Sequence, residues 1–210
     1  LDHPDNTIYI HIDAKSAFSK EDEKLLCNSC RQSKIVMVDR YPANWGAYSL
    51  INIELRMLEC AISDQHDYYH LLSGVDFPTK SMDEIHSFFV QNAGREFVHF
   101  CTDEFSQQEA HRYKIYHVFQ EKCGRTNNPY MFTRKVLAVA QKLLKVNRTK
   151  QYPEIDFKCG SQWFSITHKF VEYLLSQEKQ IKKMFSYSHC GDELFVQTII
   201  CNSPFKDNLF

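Results

Sequence analysis

Apolar residues recur along this chain with two alternating periods, which predicts strands interspersed with helices. Residues 7–12 place an isoleucine at every second position, the period of a half-buried strand. Residues 47–62 repeat apolar side chains every three to four positions, the period of a helix that packs on one face. Further short strands are predicted at 34–38, 68–72, 96–100 and 162–166.

Helix start signals support this division. Ser81 followed by Glu84 forms a capping box, and Thr167 can cap the helix after the last strand. Residues 133–146 have the pattern of a basic amphipathic helix, whereas 101–132 form a looser region that suits an insertion.

The alternation of strands and helices predicts an α/β fold, in which a central, mostly parallel sheet carries helices on both faces. No repeat, low-complexity tract or linker divides the chain, so we expect residues 1–210 to form a single domain.

Composition restricts the partners more than the fold. The chain has 210 residues and a net charge of −1, so no broad basic face indicates a nucleic acid or an anionic membrane as partner. No apolar run is long enough to span a bilayer. The abrupt first and last residues predict a fragment of a longer polypeptide, and any membrane association is expected through segments outside this chain.

The eight cysteines suit a reducing compartment better than a disulfide scaffold, because six of them are scattered singly. This favours the bacterial cytoplasm as the location, with the Golgi lumen as the alternative. Cys27 and Cys30 form a C-x-x-C pair with no second ligand pair close behind, so a thiol or zinc module remains a minor hypothesis.

Polar side chains stand where three predicted strands end. The first strand is followed by His11 and Asp13, the second by Asp39, and the third by Ser73 and Asp76. Ligands of open α/β sheets bind at the carboxyl ends of the strands. This arrangement is typical of a nucleotide site, although Asp13 and Asp76 each also suit an ordinary loop or turn.

Asp192 and Glu193 stand directly before a strongly apolar segment, where a helix is predicted to begin. In this interpretation Gly191 supplies a bend, Asp192 caps the helix, and Glu193 is held at the rim of the core. A carboxylate fixed there can act as a general base. The simpler alternative is an ordinary helix cap.

Five segments together resemble the core-2/I-branching glycosyltransferase family, which includes β-1,6-N-acetylglucosaminyltransferases and peptide O-xylosyltransferases. They are, in chain order, residues 9–16, 44–50, 72–78, 160–164, and 192–193 with 202–203. The resemblance implies a GT-A-like, Rossmann-related nucleotide-sugar fold. It also implies an inverting transfer of N-acetylglucosamine or xylose from a UDP-sugar to a carbohydrate or glycopeptide acceptor.

The resemblance also assigns roles to individual positions. The position of Glu193, next to Asp192, is that of the general base. The donor side is implied for His11, Asp13, Trp45, Gly46 and Asp76, with Asp13 at the uridine. The acceptor side is implied for Ser161, Gln162 and Trp163, although an aromatic residue in a predicted strand is also a candidate for the core.

Metal independence is a further expectation, and no metal or other cofactor is predicted. The chain has no Asp-x-Asp motif to hold a divalent cation, and the family is described as neutralising the leaving diphosphate with basic side chains. The family's basic segments follow the stretch that ends this chain, and its first strand and helix precede Leu1. Within the chain, Lys15, Arg40 and Arg112 are candidates for supplying this positive charge instead, although each also suits a solvated surface position.

A non-catalytic sugar- or nucleotide-sugar-binding domain of the same fold is the alternative function.

Overall fold

The computed structural model describes residues 1–123 and 128–210 as a mixed α/β structure with five strands and ten α-helices. The strands are β1 Thr7–Ile10, β2 Lys34–Met37, β3 Tyr68–His70, β4 Phe97–Val98 and β5 Phe164–Thr167. The helices are α1 Lys20–Cys27, α2 Tyr48–Ala61, α3 Met82–Gln91, α4 Asp103–Gln108, α5 His111–Lys114, α6 Gln120–Cys123, α7 Pro129–Leu143, α8 His168–Ser176, α9 Glu178–Phe185 and α10 Phe195–Cys201.

The strand pairing is parallel in one place and antiparallel in two. β1 and β2 run parallel, with Thr7 opposite Lys34, which is the pairing expected of an α/β fold. β5 lies between β3 and β4 and runs antiparallel to both. The α/β class is therefore confirmed, and the described strands form two sheets, β1–β2 parallel and β3–β5–β4 antiparallel. Hydrophobic periodicity reports which face a residue occupies and carries no information about strand direction, so this part could not be anticipated.

Most predicted elements are present with shifted ends. Strand β1 ends two residues earlier than predicted, and β5 begins at Phe164 rather than at Gln162. The Ser81–Glu84 capping box and the Thr167 cap are confirmed.

The predicted looser region contains more helix than expected. Residues 101–123 form three short helices, α4 to α6. Helix α7 begins at Pro129, before the predicted 133–146, because the Asn128 side chain accepts a hydrogen bond from the Met131 amide and proline suits the first helical position. Residues 124–127 of the predicted looser region lie outside the described residues.

The core forms where α2, α8, α9 and α10 pack against β5. Ile51 and Leu55 of α2, Ile166 of β5, Phe170 of α8 and Phe195 of α10 are all at most 1% exposed. Burying such side chains stabilises the fold by about 1.5–3 kcal/mol each. The apolar segment after Glu193 is thus a central core helix, and it holds the preceding turn rigidly.

Helix α7 differs from these core helices because none of its residues is buried. Phe132, Val139 and Leu143 are 71%, 61% and 78% exposed. Within residues 1–123 and 128–210, no helix has both the length and the apolar character needed to cross a bilayer.

We predict that Gly160→Ala destabilises the protein by at least about 2 kcal/mol, because a Cβ at this position would lie 1.8 Å from the His99 carbonyl oxygen. A backbone atom cannot move aside as a side chain does. The matched control is Gly74→Ala, where no atom lies within 4 Å of the added carbon, and the change should stay within about 0.5 kcal/mol. Urea unfolding of both variants measures this difference, and equal midpoints would contradict it.

Candidate active site

The loops that follow β1 and β2 are joined around Asp13. Its Oδ1 accepts hydrogen bonds from the Ala43 amide at 3.1 Å and the Lys15 amide at 3.0 Å, and Lys15 Nζ lies 3.7 Å from its Oδ2. Burial alone would raise the pKa of Asp13, but these partners outweigh it and the pKa is lowered. Arg40 donates to the carbonyls of Asp13 and Ser16, so this cation fastens the first loop.

His11 contributes a second link between the same loops. The Tyr41 amide donates to His11 Nε2 at 3.0 Å, and the two rings stack with centroids 6.4 Å apart. Burial lowers the pKa of His11, which favours the neutral imidazole that this hydrogen bond requires. In the described contacts His11 therefore shapes the loop that carries Asp13.

Trp45 and Gly46 join these loops to the segment that carries the two carboxylates. The Cys190 amide donates to the Gly46 carbonyl at 2.9 Å, and the rings of Trp45 and His189 meet edge to face at 5.4 Å. Gly46 has a φ of +68°, and a Cβ there would lie 2.9 Å from the His189 ring. Both the backbone conformation and the close approach require glycine.

The predicted cap at Asp192 is wrong. Gly191–Glu193 form a 3₁₀ turn, the left-handed residue before it is Cys190 with φ +49°, and α10 begins at Phe195 without a side-chain cap. Asp192 is instead 5% exposed, and its Oδ1 has no hydrogen-bond partner among the described residues. The apolar helix after the turn pulls Asp192 inward, so a residue type that usually caps is buried here.

Burial raises the pKa of Asp192 to about 6. Beneath the turn, Glu54 of α2 is also buried, and its Oε2 has no partner among the described residues. Burial raises the pKa of Glu54 well above its ordinary value, and the neighbouring charge of Asp192 raises it further. A helical pattern predicts the face on which Glu54 lies, but only the fold shows that a second carboxyl group stands behind the turn.

Glu193 points the other way, to the protein surface. Its side chain is 37% exposed, and its Oε2 lies 2.5 Å from Nη1 of Arg112. Arg112 is only 16% exposed, because its Nε also binds Glu109 at 2.6 Å. Its carbonyl accepts a hydrogen bond from the His189 amide at 2.9 Å. The interpretation of Arg112 as a solvated surface charge is therefore wrong.

The Gly160–Trp163 segment lies directly beside Glu193. The Gly160 amide donates to the Glu193 carbonyl at 2.9 Å, and the Ser161 carbonyl accepts from Gln197 at 2.6 Å. Gln162 is half-buried, and Trp163 is 37% exposed just before β5 begins. Trp163 is thus neither inside the strand nor in the core, and its partly exposed indole follows Gly160 by three residues.

Asp76 forms a turn of its own. The Ser73 amide donates to its Oδ2 at 2.6 Å, and the side chain is exposed. The turn follows β3, where the Leu71 amide donates to the Phe164 carbonyl, so Asp76 comes after an edge strand of the sheet that contains β5. The described hydrogen bonds of Asp76 remain within this turn, and its donor role stays a prediction.

The C-x-x-C pair lies apart from these residues. Cys27 is exposed at the end of α1, and its thiol, like that of Cys30, is free. Among the described residues, groups of three or more side chains that could hold a metal include neither cysteine.

Comparison with known proteins matches the whole chain to one family. A family model described as "Core-2/I-Branching enzyme" matches residues 1–210. The chain is 22% identical over 218 residues to "Xylosyltransferase 2" of Rattus norvegicus, and 24% identical over 209 residues to "Xylosyltransferase oxt" of Drosophila pseudoobscura pseudoobscura. These alignments cover 99% and 95% of this chain but only 23% and 22% of the two relatives, so the chain spans under a quarter of their length.

We predict that Asp192→Asn stabilises the protein at neutral pH by about 1–3 kcal/mol. The unfolded carboxyl loses its proton near pH 4 and the folded one near pH 6, so the free energy of unfolding of the wild type falls as the pH rises through this window. Asparagine removes that loss. Urea unfolding between about pH 4.5 and pH 8 should show a gap that opens as the pH rises.

The exposed Asp67 provides the matched control, because Asp67→Asn should change stability by less than about 0.5 kcal/mol at every pH. A gap for Asp192→Asn that is constant across the range would show that Asp192 does not titrate in this window.

Proposed function

Because the chain belongs to the Core-2/I-Branching enzyme family, we propose that it is the catalytic part of an inverting glycosyltransferase. It moves a sugar, xylose or N-acetylglucosamine, from a UDP-sugar to an acceptor hydroxyl. Glu193 removes the acceptor proton, and no metal ion takes part. The relatives named above are called xylosyltransferases, which favours xylose. They come from animals, and the similarity lends no support to a bacterial origin.

The position of Glu193 carries the proposal. One carboxylate oxygen is held by Arg112 at 2.5 Å, while the side chain remains 37% exposed. A general base must be fixed in direction and still reach its substrate. The acceptor hydroxyl gives its proton to Glu193 as its oxygen attacks the anomeric carbon, and UDP leaves from the opposite face with inversion.

The surroundings of Glu193 support separate places for acceptor and donor. Trp163 has a partly exposed indole three residues after Gly160, whose amide is hydrogen-bonded to the Glu193 carbonyl. An aromatic face beside a base suits the apolar face of a sugar ring. On the other side, Gly46 ties the same turn to the loops around Asp13, which is where the uridine is proposed to bind.

The charges around the two carboxylates support metal independence. Asp13 is paired with Lys15, and Glu193 with Arg112. A divalent cation would need oxygen ligands that converge on one point, whereas these carboxylates each face a cation. Lys15 Nζ also lies 3.0 Å from Asn44 Oδ1 and so stands between the two donor-side loops. It is a candidate for stabilising negative charge on the leaving diphosphate.

The alternative is a binding domain without turnover. The ion pair of Glu193 with Arg112 is compatible with it, because such a pair can serve the fold alone. In that case the fold would bind the nucleotide sugar through the Asp13 loops and the ion pair would be structural. Turnover of the complete gene product decides between the two functions.

We predict that Glu193→Gln lowers sugar transfer by about 10²–10⁴-fold, because glutamine keeps the shape of the side chain and cannot accept the proton. Binding of the UDP-sugar should stay unchanged. The measurement is UDP release by the complete gene product with UDP-xylose or UDP-N-acetylglucosamine, in excess chelator. The matched control is Glu109→Gln, which removes the other carboxylate on Arg112 and should cost less than about tenfold.

Three outcomes would contradict parts of this proposal. If the Glu193→Gln variant transfers sugar at the wild-type rate, Glu193 is not the general base. Loss of turnover in chelator would show that a metal takes part. Donor binding without turnover by the folded wild-type protein, across donors and acceptors, would favour the binding domain.

A further inference from the structure

A second cluster of polar side chains lies at the opposite end of β1 from Asp13. His3 and Asp5 belong to the segment before β1, and Asp83 and His86 belong to the first two turns of α3. Together they border an open cleft between the two elements. None of these residues takes part in the proposed sugar transfer.

The cluster brings two short motifs together. His3 and Asp5 are spaced as His-x-Asp, and Asp83 and His86 as Asp-x-x-His, a spacing that places both side chains on one face of a helix. His3 Nε2 lies 3.3 Å from Asp83 Oδ1, and His3 Nδ1 lies 3.8 Å from Asp5 Oδ2. The rings of His3 and His86 are 4.3 Å apart at an angle of 67°. His3 thus has a carboxylate at each of its ring nitrogens, and its ring meets that of His86.

These groups have the chemistry of a zinc site. One ligand atom from each of His3, Asp5 and His86 lies within 4.8 Å of the other two. Around a tetrahedral zinc with bonds of about 2.0–2.2 Å, ligand atoms stand about 3.4 Å apart. The Asp5 carboxylate can move inward to reach this spacing, because its side chain is 78% exposed.

The orientation of His86 is already set by an outer partner. Its Nε2 lies 2.8 Å from Asn6 Oδ1, so Nε2 carries the hydrogen and Nδ1 keeps its lone pair. Ligating histidines usually donate their second ring N–H to such an oxygen, which fixes the tautomer. Imidazole ligands suit zinc and similar transition metals, whereas magnesium and calcium prefer oxygen alone.

We propose that His3, Asp5 and His86 bind a zinc ion that fastens the segment before β1 to helix α3, with Asp83 as an outer partner of the His3 ring. The role is structural, because the site stands before the amino end of β1, whereas Asp13 follows its carboxyl end. The alternative is that His3 only forms ordinary hydrogen bonds with the two carboxylates and binds no metal. The experiment must distinguish this arrangement from a zinc site.

The test is titration of the metal-stripped, reduced full chain with zinc chloride, followed by calorimetry and by thermal unfolding. We expect one zinc per chain and a rise in Tm of about 5–10 °C at free zinc a hundredfold above Kd. His86→Ala and Asp83→Asn should each weaken binding by at least about tenfold. Two variants are used because His86→Ala also removes the hydrogen bond to Asn6. The matched control, Asp67→Asn on the exposed surface, should bind zinc like the wild type.

Substitution of cobalt(II) identifies the ligands independently. A histidine–carboxylate site gives a tetrahedral visible spectrum without the near-ultraviolet thiolate charge-transfer band that Cys27 or Cys30 would produce. A thiolate band, equal binding by all variants, or no change of Tm with zinc would each overturn the proposal. UDP release should be the same before and after chelation. Absence of zinc binding would therefore not contradict the proposed transferase activity, and absence of turnover would not contradict the zinc site.

Discussion

The turn from His189 to Glu193 is bonded through its backbone on three sides, and the candidate site depends on these bonds. The His189 amide donates to Arg112, the Cys190 amide to Gly46, and the Glu193 carbonyl accepts from Gly160. Each partner belongs to a different part of the chain, so the loops around Asp13, helix α5 and the Gly160–Trp163 segment meet at this turn. Two of the three partners are glycines: a Cβ at Gly46 would lie 2.9 Å from the His189 ring, and a Cβ at Gly160 would lie 1.8 Å from the His99 carbonyl oxygen.

The buried carboxyl groups behind this turn reduce stability. Asp192 and Glu54 both have an oxygen without a partner among the described residues, and burial raises the pKa of each. An apolar pair of similar shape would fold more easily. Unfavourable groups of this kind are concentrated at functional sites, where the surrounding core tolerates them. Asp192 stands next to Glu193 in the chain, so the cost arises beside the proposed base.

Local sequence patterns predicted the elements, and long-range contacts determined the rest. The Ser81 capping box, the Thr167 cap and the helix over 47–62 depend on neighbours within a few residues, and all three are present. The pairing of Arg112 with Glu193 joins residues 81 positions apart, and no local signal marks it. The same limit explains the cap wrongly assigned to Asp192, because the burial of α10 overrode a local preference.

The ion pair between Arg112 and Glu193 bears on both proposed functions, and its geometry favours the base. Glu109 holds the guanidinium from its other side at 2.6 Å, so Arg112 shares its charge between two carboxylates. Arg112 is thus fixed from both sides and holds Glu193 in one orientation. The Glu193 side chain remains 37% exposed, so an acceptor hydroxyl can reach it. A general base must be held in one orientation and still be accessible to the bound acceptor, and Glu193 meets both conditions.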